Sequence, residues 1–196
     1  QDMMVGENTG APFTVMRVPE NTVGVEIGVW KGDSSAKFLD RNLKHLHLVD
    51  SWSPTTWFDK LDAMGKEKAI QRYKGIMKEA TRQGMVDLYE EVASGVSARF
   101  EQCDNVTIHR MESRDWFAKS IEEGVMYDWV YVDGDHTFEG CLRDLNLCLK
   151  VIKTGGHLFA DDYTNKPSVK KAIDLFAKEN GFKFDIYGVN QVQIFI

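Results

Sequence analysis

Five short runs rich in Val, Ile and Leu constrain the fold of this chain more than any other feature: Val23–Ile27, Leu46–Val49, Val106–Ile108, Trp129–Val132 and His157–Ala160. Longer periodic or charged stretches separate them. That alternation is the pattern of a mostly parallel sheet covered by helices, since buried parallel strands read as continuous apolar runs joined by crossovers. Four runs end in short polar or glycine-containing segments, Gly28–Asp33, Asp50–Ser53, Glu112–Asp115 and Asp133–His136, and the fifth ends at Asp161 and Asp162. In open α/β sheets ligands sit outside the carboxyl ends of the strands, so these segments are expected to line one crevice. A helix is expected from about Ser168 to Asn180. Phe182–Tyr187, a turn at Gly188–Asn190 and Gln191–Ile196 then read as a β-hairpin.

The 196 residues, 43% of them hydrophobic, suit one globular domain over 1–196. Between Ser53 and Gln102 no strand signal occurs. Lys66–Ala80 and Val86–Phe100 read as helices, and the segment exceeds what a βαβ crossover needs. It is either an enlarged crossover with a surface loop or a lid over substrate, the latter suggested by Trp52, Trp57, Phe58, Met64 and Tyr73. A net charge of -6 offers no footprint for a phosphate backbone, so nucleic acid is not an expected partner. Cys103, Cys141 and Cys148 contain no CxxC pair and suggest neither a disulfide framework nor a zinc cage, which points to a reduced, cytoplasmic setting. No apolar stretch of about 18 residues could span a bilayer, and no membrane association is expected. Residues Met3–Arg17, with Met3, Met4, Val5, Phe13, Val15 and Met16, could cover an apolar surface on this or a neighbouring subunit, as in a homo-oligomer.

Val25–Ser35 runs a strand into a glycine turn and then a helix, the glycines letting backbone approach a ligand. Its spacing is GxxxG. A dinucleotide turn wants GxGxxG with a pyrophosphate at the helix N-terminus, which disfavours a nicotinamide cofactor. Asp33 would also serve as an N-cap. Asp50, after the second run, stands where nucleoside-binding α/β folds place a carboxylate for the ribose hydroxyls; a solvated loop aspartate is the alternative.

Asp133 and the pair Asp161 and Asp162 end two neighbouring strands and would lie together at one edge of the crevice. Clustered carboxylates repel unless a cation intervenes, and all-oxygen ligation favours a hard ion such as magnesium, with manganese or calcium as alternatives. Singly, such aspartates have plainer readings: Asp135 as a cap of the following helix, and Asp161 or Asp162 as a turn residue ending the strand. His136, three residues past Asp133, has an unperturbed pKa near about 6.5, suited to a base at neutral pH. His45, His47, His109 and His157 fall within strands, where packing or surface roles suit them.

The parallel sheet with a C-terminal hairpin resembles the α/β, Rossmann-like class I methyltransferase fold, a mostly parallel seven-stranded sheet with a C-terminal antiparallel hairpin. Val25–Ser35 is similar to that family's first motif. The resemblance implies S-adenosylmethionine as cofactor, with Glu26 near its amino group, Gly28, Trp30 and Gly32 along the chain, and Ser34 near its carboxylate. It further implies Asp50 and Ser51 at the ribose, Ser113 at adenine, and Asp133 bordering the cofactor. The stretch Asp133–Asp162 resembles two groups of metal-dependent O-methyltransferases, those acting on catechols and the macrocin type that modifies sugars of macrolide-like natural products. Both place a metal aspartate after the fourth strand, a base three residues later and an acidic pair after the fifth. The catechol enzymes use lysine as base and asparagine as last ligand, so His136 and Asp162 favour the sugar-modifying type. The likeness covers nearly the whole chain, apart from about the first twenty residues and Ser53–Gln102.

These readings predict an O-methyltransferase acting on a small hydroxylated molecule, with Asp133, Asp161 and Asp162 holding the metal and His136 and Asp133 in catalysis. The rivals are an NAD(P)-dependent oxidoreductase, which lacks its GxGxxG, and a non-catalytic nucleoside-binding module, which would need no metal-and-base set.

Overall fold

The protein is described from a computed structural model, over residues 11–196. Seven strands form one sheet in the order β3-β2-β1-β4-β5-β7-β6. The strands are β1 (Val23–Ile27), β2 (His45–Asp50), β3 (Val106–Arg110), β4 (Tyr127–Val132), β5 (Ile152–Ala160), β6 (Lys183–Tyr187) and β7 (Gln191–Phe195). The first five run parallel, while β7 is antiparallel to both β5 and β6. This is the Rossmann-like methyltransferase fold, with every expected strand present. The order reverses between β1 and β4, and the crevice at that switch point is where such sheets bind ligands.

Alternation along the strands divides the core in two. Val25, Ile27, Val130, Val132, Leu158 and Ala160 face one side, packed by α5 (Ser113–Glu122), α6 (Phe138–Cys148) and α7 (Pro167–Asn180). Leu46, Leu48, Trp129, Tyr131 and Phe159 face the other, beneath α2 (Asp33–Leu39) and α4 (Arg82–Phe100). Period-2 alternation on strands buried on both faces gives this two-layered apolar packing. Removing one of the large fully buried rings, such as Trp129, would cost about 3–5 kcal/mol.

The Ser53–Gln102 segment contains two 3-10 turns, Pro54–Thr56 and Phe58–Lys60, followed by α3 (Ala63–Tyr73) and α4. The expected helix over Lys66–Ala80 is corrected in both directions. Asp62 caps α3 by accepting from Gly65 N at 2.7 Å, so the helix starts earlier. It stops before Gly75, a poor helix former, and the chain turns until Thr81 caps α4 through Gly84 N at 3.0 Å.

Near the N-terminus, α1 (Pro12–Val15) buries Thr14 but leaves Phe13 and Met16 exposed, so only part of the expected covering segment is apolar packing. Met3, Met4 and Val5 lie outside the described residues. The three cysteines are free thiols. Among the described residues, no helix is long and apolar enough to cross a membrane.

Candidate active site

Strand register brings the expected residues to one line. Ile27 is level with Val49 on β2 and Val132 on β4, and Val132 is level with Ala160 on β5. The next residue of each strand-end is therefore Gly28, Asp50, Asp133 or Asp161. The ladder continues one step into these loops through Gly28 N to Val49 O at 2.9 Å, Asp133 N to Ile27 O at 2.8 Å and Asp161 N to Val132 O at 3.1 Å.

Gly28 has φ +87°, and a Cβ there would stand 2.1 Å from the carbonyl oxygen of Asp133. Only glycine fits that approach. Trp30, at φ +52°, continues the loop in the left-handed region despite carrying a side chain. Gly32 caps α2 at φ +77°, so Asp33 is the first residue of the helix and not its cap. There its carboxylate complements the helix dipole and accepts from Arg99 Nη1 at 2.9 Å.

Glu26 is only 1% exposed and lies beneath the loop, its carboxylate accepting from the Ser35 hydroxyl. Burial, and more weakly the charges of Asp133, Asp50 and Asp33, push its pKa well above the carboxylate range, against the lowering effect of Ser35. Ser34, expected at a cofactor carboxylate, is largely buried on α2. The hydroxyl that meets Glu26 belongs instead to Ser35, the residue after Ser34.

Asp50 braces the loop. Its Oδ2 accepts from Val29 N at 2.9 Å and Trp30 N at 3.0 Å, and its Oδ1 from Trp52 N at 2.8 Å. A carboxylate offers about four acceptor positions, so Asp50 has room for one further donor in this arrangement, where two ribose hydroxyls were expected. Ser51 follows it in the loop, half-buried.

Trp30 also joins the glycine loop to the inserted helices. Its ring packs on Tyr89 at 5.0 Å and Tyr73 at 6.1 Å between centroids, Trp57 Nε1 donates to Tyr89 Oη at 2.8 Å, and Trp52 Nε1 donates to Trp30 O at 2.9 Å. Of the proposed lid residues, Trp52 and Phe58 are buried and Met64 is exposed.

After β3, Ser113 opens α5, but its hydroxyl turns to α6 and donates to the wholly buried Asp144 carboxylate at 2.9 and 3.1 Å. Arg143 Nε completes that carboxylate at 3.0 Å. The side chain expected at adenine is thus engaged elsewhere.

Across the crevice, Asp133, His136 and Asp162 form a group whose ligand atoms lie within 4.8 Å of one another. His136 Nε2 stands 3.3 Å from Asp133 Oδ1 and 3.0 Å from Asp162 Oδ2, with side-chain exposures of 43%, 25% and 15% for His136, Asp133 and Asp162. Burial lifts Asp133 to about 7; the His136 hydrogen bond lowers it, and the charges of Asp161 and Asp162 add to the rise. For His136, burial acts downward, but the hydrogen bond and charge of Asp133 and the charge of Asp162 outweigh it, raising the imidazole above its ordinary value.

Asp161, expected with this group, points elsewhere: its Oδ2 accepts from Tyr131 Oη at 2.5 Å and from Gln191 Nε2 at 3.4 Å. The reason is register, because Tyr131 lies one residue short of the strand end on the same face, and Gln191 enters β7 opposite the end of β5. Tyr131 and Gln191 carried no signal in the sequence, since their meeting depends on an antiparallel pairing formed at the chain's end.

A family model described as a methyltransferase domain matches residues 25–163. A curated relative, uncharacterized protein R132 of Acanthamoeba polyphaga mimivirus, is 33% identical over 70 residues, spanning 31% of this chain and about a third (32%) of that protein's length. Among solved structures, the O-methyltransferase NovP is 19% identical with a TM-score of 0.55, covering 93% of this chain and 74% of its own. SMU.1697c of Streptococcus mutans, solved with S-adenosylhomocysteine, is 13% identical with a TM-score of 0.58, covering 97% of this chain and 98% of its own. Fibrillarin of Aeropyrum pernix, solved with S-adenosylmethionine, is 12% identical with a TM-score of 0.53, covering 90% of this chain and 66% of its own. These structures share the fold, and with the family model matching well over half of its length the chain belongs to the methyltransferase domain family.

Proposed function

We propose that this chain transfers a methyl group from S-adenosylmethionine to a hydroxyl of a small polyhydroxylated or phenolic molecule, with a divalent cation and a histidine base. The observation that carries the reading is the alignment of two chemistries at one sheet edge: a glycine loop braced by Asp50, and a carboxylate–imidazole cluster at Asp133, His136 and Asp162. Binding of S-adenosyl compounds by two of the structural neighbours and the O-methyltransferase description of a third support it.

The donor set fits a cation. Two half-buried carboxylates face each other with a third, Asp161, behind them and one imidazole between, so negative charge accumulates where its solvation is reduced. Asp133 and Asp162 would hold the ion, which favours magnesium or manganese. When bound, the cation supplies Lewis-acid polarisation of the acceptor hydroxyl, and S-adenosylmethionine supplies an activated methyl. His136 would take the hydroxyl proton on the ring nitrogen that does not donate to Asp133 or Asp162, since the Nε2 facing those acceptors carries the hydrogen they accept. Asp133 orients that imidazole and, one residue beyond β4, spans the cofactor and acceptor sides of the crevice. The glycine loop and the aromatic contacts of Trp30 exclude water and hold donor and acceptor for in-line attack, where most of the acceleration arises.

Calorimetric titration with S-adenosylhomocysteine, with and without magnesium, and with NAD(P) tests the reading. Binding of S-adenosylhomocysteine alone, and methyl transfer that stops in EDTA, are expected. Preference for NAD(P) would overturn the cofactor, and full activity in EDTA would overturn the metal role.

A further inference from the structure

The residue that stands behind the cluster, Asp161, connects it to the N-terminal part of the chain. Asp161 Oδ1 accepts from Asp162 N at 2.7 Å, and Asp162 sits at φ +65°, a left-handed conformation that a residue with a Cβ leaves unless its surroundings hold it. Asp161 itself is held by Tyr131 and by Gln191 Nε2. Gln191 is 3% exposed, and its Oε1 accepts from both the backbone N–H and the hydroxyl of Thr14, each at 3.1 Å. The Thr14 N–H can only donate, so it fixes which end of the Gln191 amide is oxygen and leaves Nε2 to face Asp161. Thr14 is wholly buried and its hydroxyl also meets Tyr187 Oη at 2.8 Å, which docks α1 on the hairpin.

We propose that Thr14 and Gln191 are positioning residues for the cation site: they aim Asp161, Asp161 fixes the backbone of Asp162, and the segment Pro12–Val18 is thereby part of the active centre. This rests on the cation reading given above. Neither residue touches the cluster. A continuous series of buried and half-buried hydrogen bonds of fixed polarity gives each donor one acceptor, and outer partners of this kind typically alter metal affinity by about 10–100-fold.

The test uses the full chain and manganese, followed by the electron paramagnetic resonance of the free ion, in the wild type and in Gln191→Leu, Gln191→Glu and Thr14→Val. Affinity for S-adenosylhomocysteine in EDTA and the melting temperature are measured alongside. Gln191→Leu removes the donor to Asp161, and Gln191→Glu sets a carboxylate against it; both are expected to weaken manganese binding about tenfold or more with S-adenosylhomocysteine affinity unchanged. Thr14→Val keeps the shape and the backbone donor, and a loss of about threefold is expected, which preserves a readable variant where the Gln191 changes fold poorly. Unaltered manganese affinity in all three variants, with a wild type that binds the ion, overturns the proposal alone. Equal losses of manganese and S-adenosylhomocysteine affinity overturn it in favour of general destabilisation. A wild type that binds S-adenosylhomocysteine but no manganese overturns both this proposal and the cation reading.

Discussion

Gly28 and Asp133 meet backbone to backbone: a methyl group on Gly28 would lie 2.1 Å from the Asp133 carbonyl oxygen and 2.6 Å from Gly134 Cα. The two halves of the crevice, one on each side of the β1–β4 switch, thus meet at a backbone approach that tolerates no side chain. Gly28→Ala is expected to lose about 1–2 kcal/mol from the left-handed backbone alone, with the collision adding to it. Because the displaced atoms lead directly into Asp133, affinity for S-adenosylhomocysteine and for manganese should fall together. Urea denaturation and the two titrations measure this, and a variant with wild-type stability and both affinities intact would refute the contact.

Asp50 tests how the loop is held. Asparagine there keeps the volume but turns an amino group toward at least one of the donors at Val29, Trp30 and Trp52. Loss of one bond to a charged acceptor is worth about 1.5–3 kcal/mol, so Asp50→Asn should lower stability by that order and weaken S-adenosylhomocysteine binding by about tenfold or more. Equilibrium unfolding and calorimetry check both. A loss of affinity without any loss of stability would mean that the brace matters less than direct contact with ligand.

Asp162 combines a strained backbone with a candidate ligand, and two substitutions separate them. Asp162→Gly and Asp162→Ala both remove the carboxylate and should both abolish manganese binding. Glycine adopts φ +65° freely, whereas alanine does not, so the glycine variant is expected to be more stable than the alanine variant by about 1 kcal/mol. Thermal unfolding of the pair in EDTA gives the comparison, and equal melting temperatures would show that the backbone there carries no strain.

The strands and the level of their ends were legible because buried parallel strands concentrate Val, Ile and Leu in short runs and end where polar loop residues begin; Val23–Ile27 matches to the residue. Asp50, Asp133 and His136 fall at the crevice for the same reason. Three-dimensional partners were less visible. Asp161 differs from Asp162 in nothing that a sequence displays, and its pairing with Tyr131 and Gln191 follows from the placement of β7. Ser113 looked available for a ligand because its partner lies on another helix, yet Asp144 on an apolar stripe with Cys141, Leu145 and Cys148 is a signal that a buried carboxylate there needs donors. α3 ends at Tyr73, short of the expected Ala80, because helix propensity falls at Gly75.

Across β1 from the cluster, His45, His47 and His109 pack together on β2 and β3, with His47 Nδ1 3.0 Å from His109 Nε2 and His45 Nε2 2.8 Å from Thr107 Oγ1. Tyr127 and Trp116 lie against His47 and His109. Burial, and then the neighbouring His109 and His45, lower His47 to about 4, and burial with the charges of Lys119 and His45 lowers His109 against the pull of Glu123. An unfolded chain takes up these protons near about pH 6.5. Between about 6.5 and 4 the unfolded state therefore binds more protons than the folded one, so stability is complete above that window and falls as pH decreases through it. The bond between the two rings also needs one nitrogen to accept, which a doubly protonated pair cannot provide. Allowing for the solvent that reaches these rings, the loss between pH 7 and pH 5 is expected to be on the order of 1–2 kcal/mol. In His47→Gln/His109→Gln, which keeps hydrogen-bonding groups but cannot titrate, that part of the slope should vanish in urea denaturation across the same range. An unchanged slope would assign the acid sensitivity to carboxylates elsewhere in the fold.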